Sequence, residues 1–156
     1  MAGDPRVRLA SEEDADVLAR MQIEFNAEFD DDSAPEHEVL AQRMRDYIAS
    51  GEMYFLLAGD GPDGHAQIAL HPTLYSPDRE AYLGELWVRP EKRGLGLGRA
   101  MLEEAMEEAR RRGCDHFHIT TSMDDDEARA LYESAGFTNK EGSPDGPLMI
   151  YYERDL

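Results

Sequence analysis

Three glycines at alternate positions, Gly94, Gly96 and Gly98, stand between two arginines, Arg93 and Arg99. The residues before this segment predict a strand, and those after it have helical periodicity. The first N–H groups of a helix have no partner within it, and the helix dipole adds partial positive charge there. Residues 93–99, called the glycine loop below, are therefore typical of a phosphate-binding turn. A glycine-rich turn without a ligand is the alternative.

Two common phosphate-binding patterns do not fit the glycine loop. A dinucleotide fingerprint needs a third glycine at position 99, where this chain has arginine, and a P-loop needs Gly-Lys-Ser/Thr. The stretch Arg93-Gly94-Leu95-Gly96-Leu97-Gly98 resembles instead motif A of the GNAT superfamily of N-acetyltransferases, Gln/Arg-x-x-Gly-x-Gly/Ala. Residues 125–137 are similar to a second family segment, Asn-x-x-Ala-x-x-Leu-Tyr-x-x-x-Gly-Phe.

This resemblance implies that acetyl-CoA is the cofactor. In the family, the glycine loop holds the pyrophosphate, and the main chain of the preceding strand pairs with the pantetheine arm. Asp125 stands where the family often has asparagine, and because an ionised carboxylate cannot donate a hydrogen bond, capping of a helix is its other interpretation. The cofactor-binding residues expected in this way are Leu86, Trp87, Val88, Arg93, Gly94, Leu95, Gly96, Leu97, Gly98, Arg99 and Asp125.

Acetyl transfer to an amine requires that the amine lose a proton. An alkylamine with a pKa of about 10 is almost entirely charged at pH 7, so a carboxylate is needed nearby. We predict Glu85 as this base; it alternates with Leu83 and Trp87 and should share their face of the strand. An exposed or edge-facing glutamate is the alternative.

Tyr132 resembles the family's general acid. A phenol can donate a proton or a hydrogen bond to the thiolate that leaves. Its alternative is simple packing, because Tyr132 falls on the same helix face as Leu131 and Ala135.

The acceptor is expected to be a small cationic amine. In the family it enters beside the first two helices and the loop before the cofactor strand. The formal net charge of −18 would attract a cation and argues against nucleic acid as a partner, although general surface solvation explains the acidity equally well. A peptide amine is the second candidate, and a catalytically silent acyl-CoA sensor is the alternative to an enzyme. The expected acceptor-binding residues are Glu24, Glu28, Tyr75 and Glu85.

Composition adds bounds on the class of protein. The 156 residues predict one domain, 1–156, without a membrane span, and the absence of an apolar N-terminal segment predicts a cytoplasmic protein. His116 and His118 share a predicted strand face, but no third ligand is evident, so no metal site is predicted. Cys114 is the only cysteine and is expected to be structural.

The predicted element order is β-α-α-β-β-β-α-β-α-β-β. It indicates an α/β (α+β) fold with a mixed sheet and helices on both faces, the layout of the GNAT family. The last strand is expected at 148–152, and the resemblance suggests a homodimer.

Overall fold

The computed structural model describes residues 3–156. The chain divides into two compact units after Ile119, and the second comprises Thr120–Leu156. Among the described helices, none is both long and apolar enough to cross a membrane. The first unit contains β1 (Val7–Leu9), a 3₁₀ turn (Glu12–Asp14), α1 (Ala15–Glu28), α2 (His37–Ser50), β2 (Met53–Ala58), β3 (Gly64–Pro72), β4 (Arg79–Val88), a 3₁₀ turn (Pro90–Lys92), α3 (Leu97–Arg111) and β5 (His116–Ile119). The second contains α4 (Asp126–Ser134).

The sheet of the first unit has the order β1-β2-β3-β4-β5. The strands β1 to β4 form an antiparallel meander, whereas β5 runs parallel to β4. A parallel neighbour needs a crossover, and α3 provides it between β4 and β5. This mixed sheet with flanking helices confirms the predicted fold class.

Side chains alternate in direction along the strands, so both faces of the sheet carry residues that pack against helices. Phe55, Leu57 and Trp87 face α1 and α2 and pack in one cluster with residues such as Leu18 and Met44. The neighbouring residues of β2 point the other way, toward α3. There, the Tyr54 hydroxyl donates to the Ala105 carbonyl at 2.6 Å, and the guanidinium of Arg112 lies 4.7 Å from the centre of the Tyr54 ring.

A β-bulge in β4 corrects one sequence expectation. Gln67 pairs with Glu85, but the next residue, Ile68, pairs with Leu83, so Gly84 is the extra residue. Glu85 therefore shares the face of Trp87, as predicted, but not that of Leu83, because the extra residue reverses the alternation. The sequence shows a regular alternation there, and only the pairing with β3 reveals the irregularity.

The predicted last strand, 148–152, is wrong. The second unit shows an isolated bridge between Lys140 and Leu148 and a hydrogen bond from the Met149 N–H to the Asn139 carbonyl, but residues 149–156 have no regular structure. Aromatic and β-branched residues favour a strand, yet a strand needs continuous backbone partners. Within the second unit, the backbone of this segment is paired only at the bridge and immediately beside it, which is too short for a strand.

We expect Tyr54→Phe to lower the free energy of unfolding by about 1 kcal/mol, because the substitution removes a buried hydrogen bond and changes little else. Tyr47→Phe is the control, since Tyr47 is 41% exposed, and its effect should be close to zero. Urea unfolding followed by circular dichroism measures both. Equal losses in the two variants would contradict a contribution from the Tyr54 hydroxyl.

Candidate active site

The strand β4 is paired on only one side near its end. It pairs with β3 from Arg79 to Val88, apart from the bulge, but with β5 only over Glu80–Leu83. In the described part of the chain, residues 85–88 have no strand partner on the β5 side. Their outward main-chain groups form a short open edge, which can pair with an extended ligand.

The glycine loop follows this open edge. Gly94 and Gly96 have φ values of 78° and 81°, in the left-handed region that glycine enters without strain. Gly96 caps α3, and a Cβ added to Gly94 would meet nothing within 4 Å. Among the described backbone hydrogen bonds, none is donated by the N–H groups of residues 94–98. Open space and unpartnered donors at a helix N-terminus together fit a phosphate group.

The Glu28 carboxylate ties the start of the glycine loop to α1. It accepts hydrogen bonds from the Arg93 guanidinium, at 2.7 and 2.9 Å, and from the Trp87 indole N–H at 2.6 Å. Arg93 also donates from Nε to the Val88 carbonyl at 2.9 Å. Burial raises the pKa of Glu28, but the hydrogen bonds from Trp87 and Arg93 outweigh it, and the net shift is downward. This carboxylate is therefore ionised, and it connects α1 with β4 and with the glycine loop.

The guanidinium of Arg6, the residue just before β1, also contacts the glycine loop. The sequence did not single out this residue. Arg6 donates from Nη1 to the Leu95 carbonyl at 2.7 Å and is itself paired with Asp4. Arg99, which the sequence did single out, lies 3.9 Å from Glu103 one turn along α3. No motif signals Arg6, because it lies 89 residues before Leu95 in the chain.

Glu85 lies beside a buried histidine. His65 is fully buried, and its Nε2 is 3.6 Å from Oε2 of Glu85, whose side chain is 19% exposed. This distance is too long for a hydrogen bond. Both ring nitrogens of His65 and Oε2 of Glu85 are buried without a hydrogen-bond partner among the described residues. Unpartnered polar atoms are costly to bury, so their presence together marks this point of the sheet as a functional candidate.

A groove lies on the same sheet face, between α1, α2 and the strands. Its volume is about 260 Å³, and Gln67, the cross-strand neighbour of Glu85, forms part of its wall. Gln22 and Asn26 contribute polar groups from α1; the Gln22 amide donates to the Asn26 carbonyl oxygen at 2.9 Å. Oε1 of Gln22 is buried and has no partner among the described residues. No sequence motif signals either amide, because their position in the groove wall is visible only in the fold. The remaining lining residues are Ser33, Ala34, Pro35, Leu40 and Met44.

Two of the predicted acceptor-binding residues, Glu24 and Tyr75, do not line this groove. Glu24 forms a two-point ion pair with Arg89, at 2.8 and 2.9 Å, and this hydrogen bond lowers its pKa. Tyr75 is 97% exposed on the loop between β3 and β4. Glu24 and Glu28 are thus both neutralised by arginines in this structure.

The second unit holds the remaining predicted residues. Oδ1 of Asp125 accepts from the Ala128 N–H at 3.0 Å, so Asp125 caps α4. Tyr132 is partly buried, and its ring packs at 6.3 Å from that of Phe137. Burial raises the pKa of Tyr132, with a smaller contribution from the negative charge of Asp125. The phenol therefore keeps its proton at neutral pH.

Comparison with known proteins identifies the family of the chain. Residues 18–137 match the profile of the acetyltransferase (GNAT) family. A curated relative, aminoglycoside N(6′)-acetyltransferase type 1 of Stenotrophomonas maltophilia, is 28% identical over 160 residues, which cover 100% of this chain and 97% of that protein.

Solved structures agree with this assignment. A candidate acetyltransferase from Arthrobacter sp. FB24 superposes with a TM-score of 0.89 and 37% identity, over 100% of this chain and 99% of that one. A predicted acetyltransferase from Clostridium acetobutylicum, solved with acetyl-CoA, superposes with a TM-score of 0.74 over 96% of this chain and 95% of that one. Its 19% identity makes this a likeness of fold alone.

We expect Glu28→Ala to lower the free energy of unfolding at pH 7 by about 1–3 kcal/mol, because the Trp87 indole N–H and the Arg93 guanidinium lose their acceptor. Glu24→Ala is the matched control, since it removes one surface ion pair and should cost at most about 1 kcal/mol. Urea unfolding at several pH values measures both. The depressed pKa of Glu28 places its stabilisation above the unfolded-state pKa of about 4.3, so the difference from wild type should shrink as pH falls below this value.

Equal effects of the two variants at pH 7 would show that Glu28 is an ordinary surface carboxylate. A difference that stays constant down to pH 2 would show that its charge is not what stabilises the fold.

Proposed function

Since the chain belongs to the acetyltransferase (GNAT) family, we propose that it transfers the acetyl group of acetyl-CoA to a primary amine of a small cationic molecule. The reaction is direct attack of the amine in a ternary complex. The observation that carries this proposal is the open edge of β4, which is followed after one 3₁₀ turn by the unpartnered N–H groups of residues 94–98.

Anchoring of the cofactor is assigned to the main chain. The N–H groups of residues 94–98 donate to the pyrophosphate, and the outward main-chain groups of residues 86–88 pair with the pantetheine arm. Arg93 and Arg99 add positive charge, although Arg93 also serves Glu28. Backbone donors are well suited to this task, because they are held at fixed positions by α3 and β4. When bound, acetyl-CoA supplies the activated thioester.

The acceptor is assigned to the groove beside Gln67. An ammonium group is a donor only, and the buried Oε1 of Gln22 is an acceptor without a partner, so an amine-bearing ligand satisfies it. The groove's volume of about 260 Å³ admits one ring of a small molecule rather than a folded surface. The full-length similarity to an aminoglycoside N(6′)-acetyltransferase supports an aminoglycoside-like polyamine as the first substrate class to test. An amine of a peptide or protein is the alternative acceptor.

Proton transfer is assigned to two residues. Glu85 has a carboxylate oxygen without a partner and lies next to Gln67 of the groove, so it can accept the proton of the attacking amine directly or through water. His65 holds an imidazole nitrogen 3.6 Å from this carboxylate. Tyr132, which the sequence motif assigns as general acid, keeps its proton at neutral pH and would give it to the sulfur that leaves.

The first experiment measures acetyl-CoA binding by calorimetry. We expect wild-type protein to bind acetyl-CoA and to bind ATP and NAD much more weakly. Gly94→Asp should weaken acetyl-CoA binding by about 100-fold or more, because two like charges about 4 Å apart near a protein surface repel by about 4 kcal/mol.

The matched control is Gly51→Asp. Gly51 caps α2 with a φ of 75°, and a Cβ there also meets nothing within 4 Å. It therefore imposes the same backbone strain away from the glycine loop and should leave binding unchanged. Unaltered affinity in a folded Gly94→Asp variant would overturn the assignment of the glycine loop.

The second experiment measures CoA release with a panel of amines: aminoglycosides, linear polyamines, and a lysine-containing peptide. We expect the aminoglycosides and polyamines to be acetylated and the peptide to react weakly. Tyr132→Phe should lower kcat by about 100-fold without changing acetyl-CoA affinity, since the loss concerns proton donation. Tyr152→Phe is the control in the same unit, because Tyr152 is 83% exposed.

Each alternative gives a different result. Tight acetyl-CoA binding without amine-dependent release of CoA would favour a silent acyl-CoA sensor. Preference for the peptide would favour protein acetylation. Equal losses of kcat and affinity in Tyr132→Phe would mean that Tyr132 packs rather than acts as an acid.

A further inference from the structure

Three side chains from three adjacent strands converge on the sheet face that also carries Gln67 and Glu85. His71 lies on β3, Glu80 directly opposite it on β4, and His118 on β5. One ligand atom from each lies within 4.8 Å of the other two. None of the three takes part in the chemistry proposed above.

The distances fit a metal ion better than a hydrogen-bonded cluster. Nε2 of His71 and Nε2 of His118 are 3.4 Å apart, and Nε2 of His71 is 3.9 Å from Oε2 of Glu80. Two nitrogens each about 2.1 Å from a tetrahedral zinc ion lie about 3.4 Å apart. Oε2 of Glu80 would need to approach Nε2 of His71 by about half an ångström to match this spacing.

The tautomer of His71 also suits a ligand role. Its Nδ1 lies 3.4 Å from the Pro72 carbonyl oxygen. A carbonyl can only accept, so this contact is compatible with a neutral ring that carries its proton on Nδ1 and leaves the lone pair of Nε2 available to a metal ion. Metal-bound histidines commonly donate their second nitrogen to a carbonyl or carboxylate in this way.

We propose that His71, Glu80 and His118 bind a divalent transition-metal ion, with zinc as the metal that best fits two imidazoles and one carboxylate. Three protein ligands leave one position open to water or to another ligand. The side chains of His71 and Glu80 are 42% and 23% exposed, so an ion can enter from solvent. The site links three strands at the end of β4 where the sheet is paired on both sides.

The test uses untagged protein freed of metal with a chelator and titrated with zinc chloride by calorimetry. We expect one zinc ion per chain, and a higher melting temperature when zinc is present, because an ion that binds only the folded state stabilises it. His71→Ala and His118→Ala should each weaken binding by more than about 10-fold. X-ray absorption of the zinc-loaded protein should show only nitrogen and oxygen ligands at about 2.0–2.1 Å.

His37→Ala is the matched control. His37 lies on α2 and contacts the Asp16 carbonyl oxygen and Glu38, so it is a histidine outside the site, and its loss should leave zinc affinity unchanged. Should His118→Ala unfold, His71→Ala and Glu80→Gln provide the same test from two other strands. No zinc binding by wild type, or equal affinity in folded His71→Ala and Glu80→Gln variants, would overturn the proposal. A sulfur ligand in the absorption spectrum would assign the ion to Cys114 and overturn it as well.

Discussion

The candidate site depends on one constraint, the unequal pairing of β4. Hydrogen bonds to β3 hold this strand along its length, whereas hydrogen bonds to β5 stop at Leu83. A strand that is fixed on one side and open on the other offers main-chain donors and acceptors at rigid positions. The glycine loop follows this strand after one 3₁₀ turn, so the open edge and the N-terminus of α3 come one after the other along the chain. Backbone geometry, rather than any particular side chain, is the basis of the proposed cofactor site.

Ion pairs between arginines and carboxylates join α1 to the chain around the end of β4 and the start of the glycine loop. Glu28 joins α1 to Trp87 and Arg93, and Glu24 joins the same helix to Arg89. Each of these carboxylates is already paired with a guanidinium. In contrast, the polar side chains that line the groove are neutral, and three of them are amides: Gln22, Asn26 and Gln67. We infer that the net charge of −18 attracts the proposed cationic acceptor from solution. Amide oxygens of the groove then bind its amine at close range.

One face of the sheet carries several polar groups that packing does not explain. Gln67, Glu85 and His65 lie toward one end of β3 and β4, and His71 and Glu80 lie toward the other. Polar residues on a strand face are costly where helices cover them and inexpensive where they do not. The bulge at Gly84 fits this arrangement, because a Cβ there would come within 3.2 Å of the Gln67 amide. It also places Glu85 on this face instead of the one toward α3.

The sequence by itself determined what depends on local pattern. Alternate glycines between arginines at a strand–helix junction predicted the glycine loop, because this signal arises from neighbouring residues. For the same reason, hydrophobic periodicity predicted all four helices and all five strands that the described residues contain, although two further strands were predicted after the last helix. Only the tertiary structure decided what depends on pairing. The bulge reversed the relation of Glu85 to Leu83, and the lack of a continuous partner removed the strand predicted at 148–152. The convergence of His71, Glu80 and His118 and the burial of Gln22 and His65 were decided there too, because residues far apart in the chain become neighbours only when strands and helices pack.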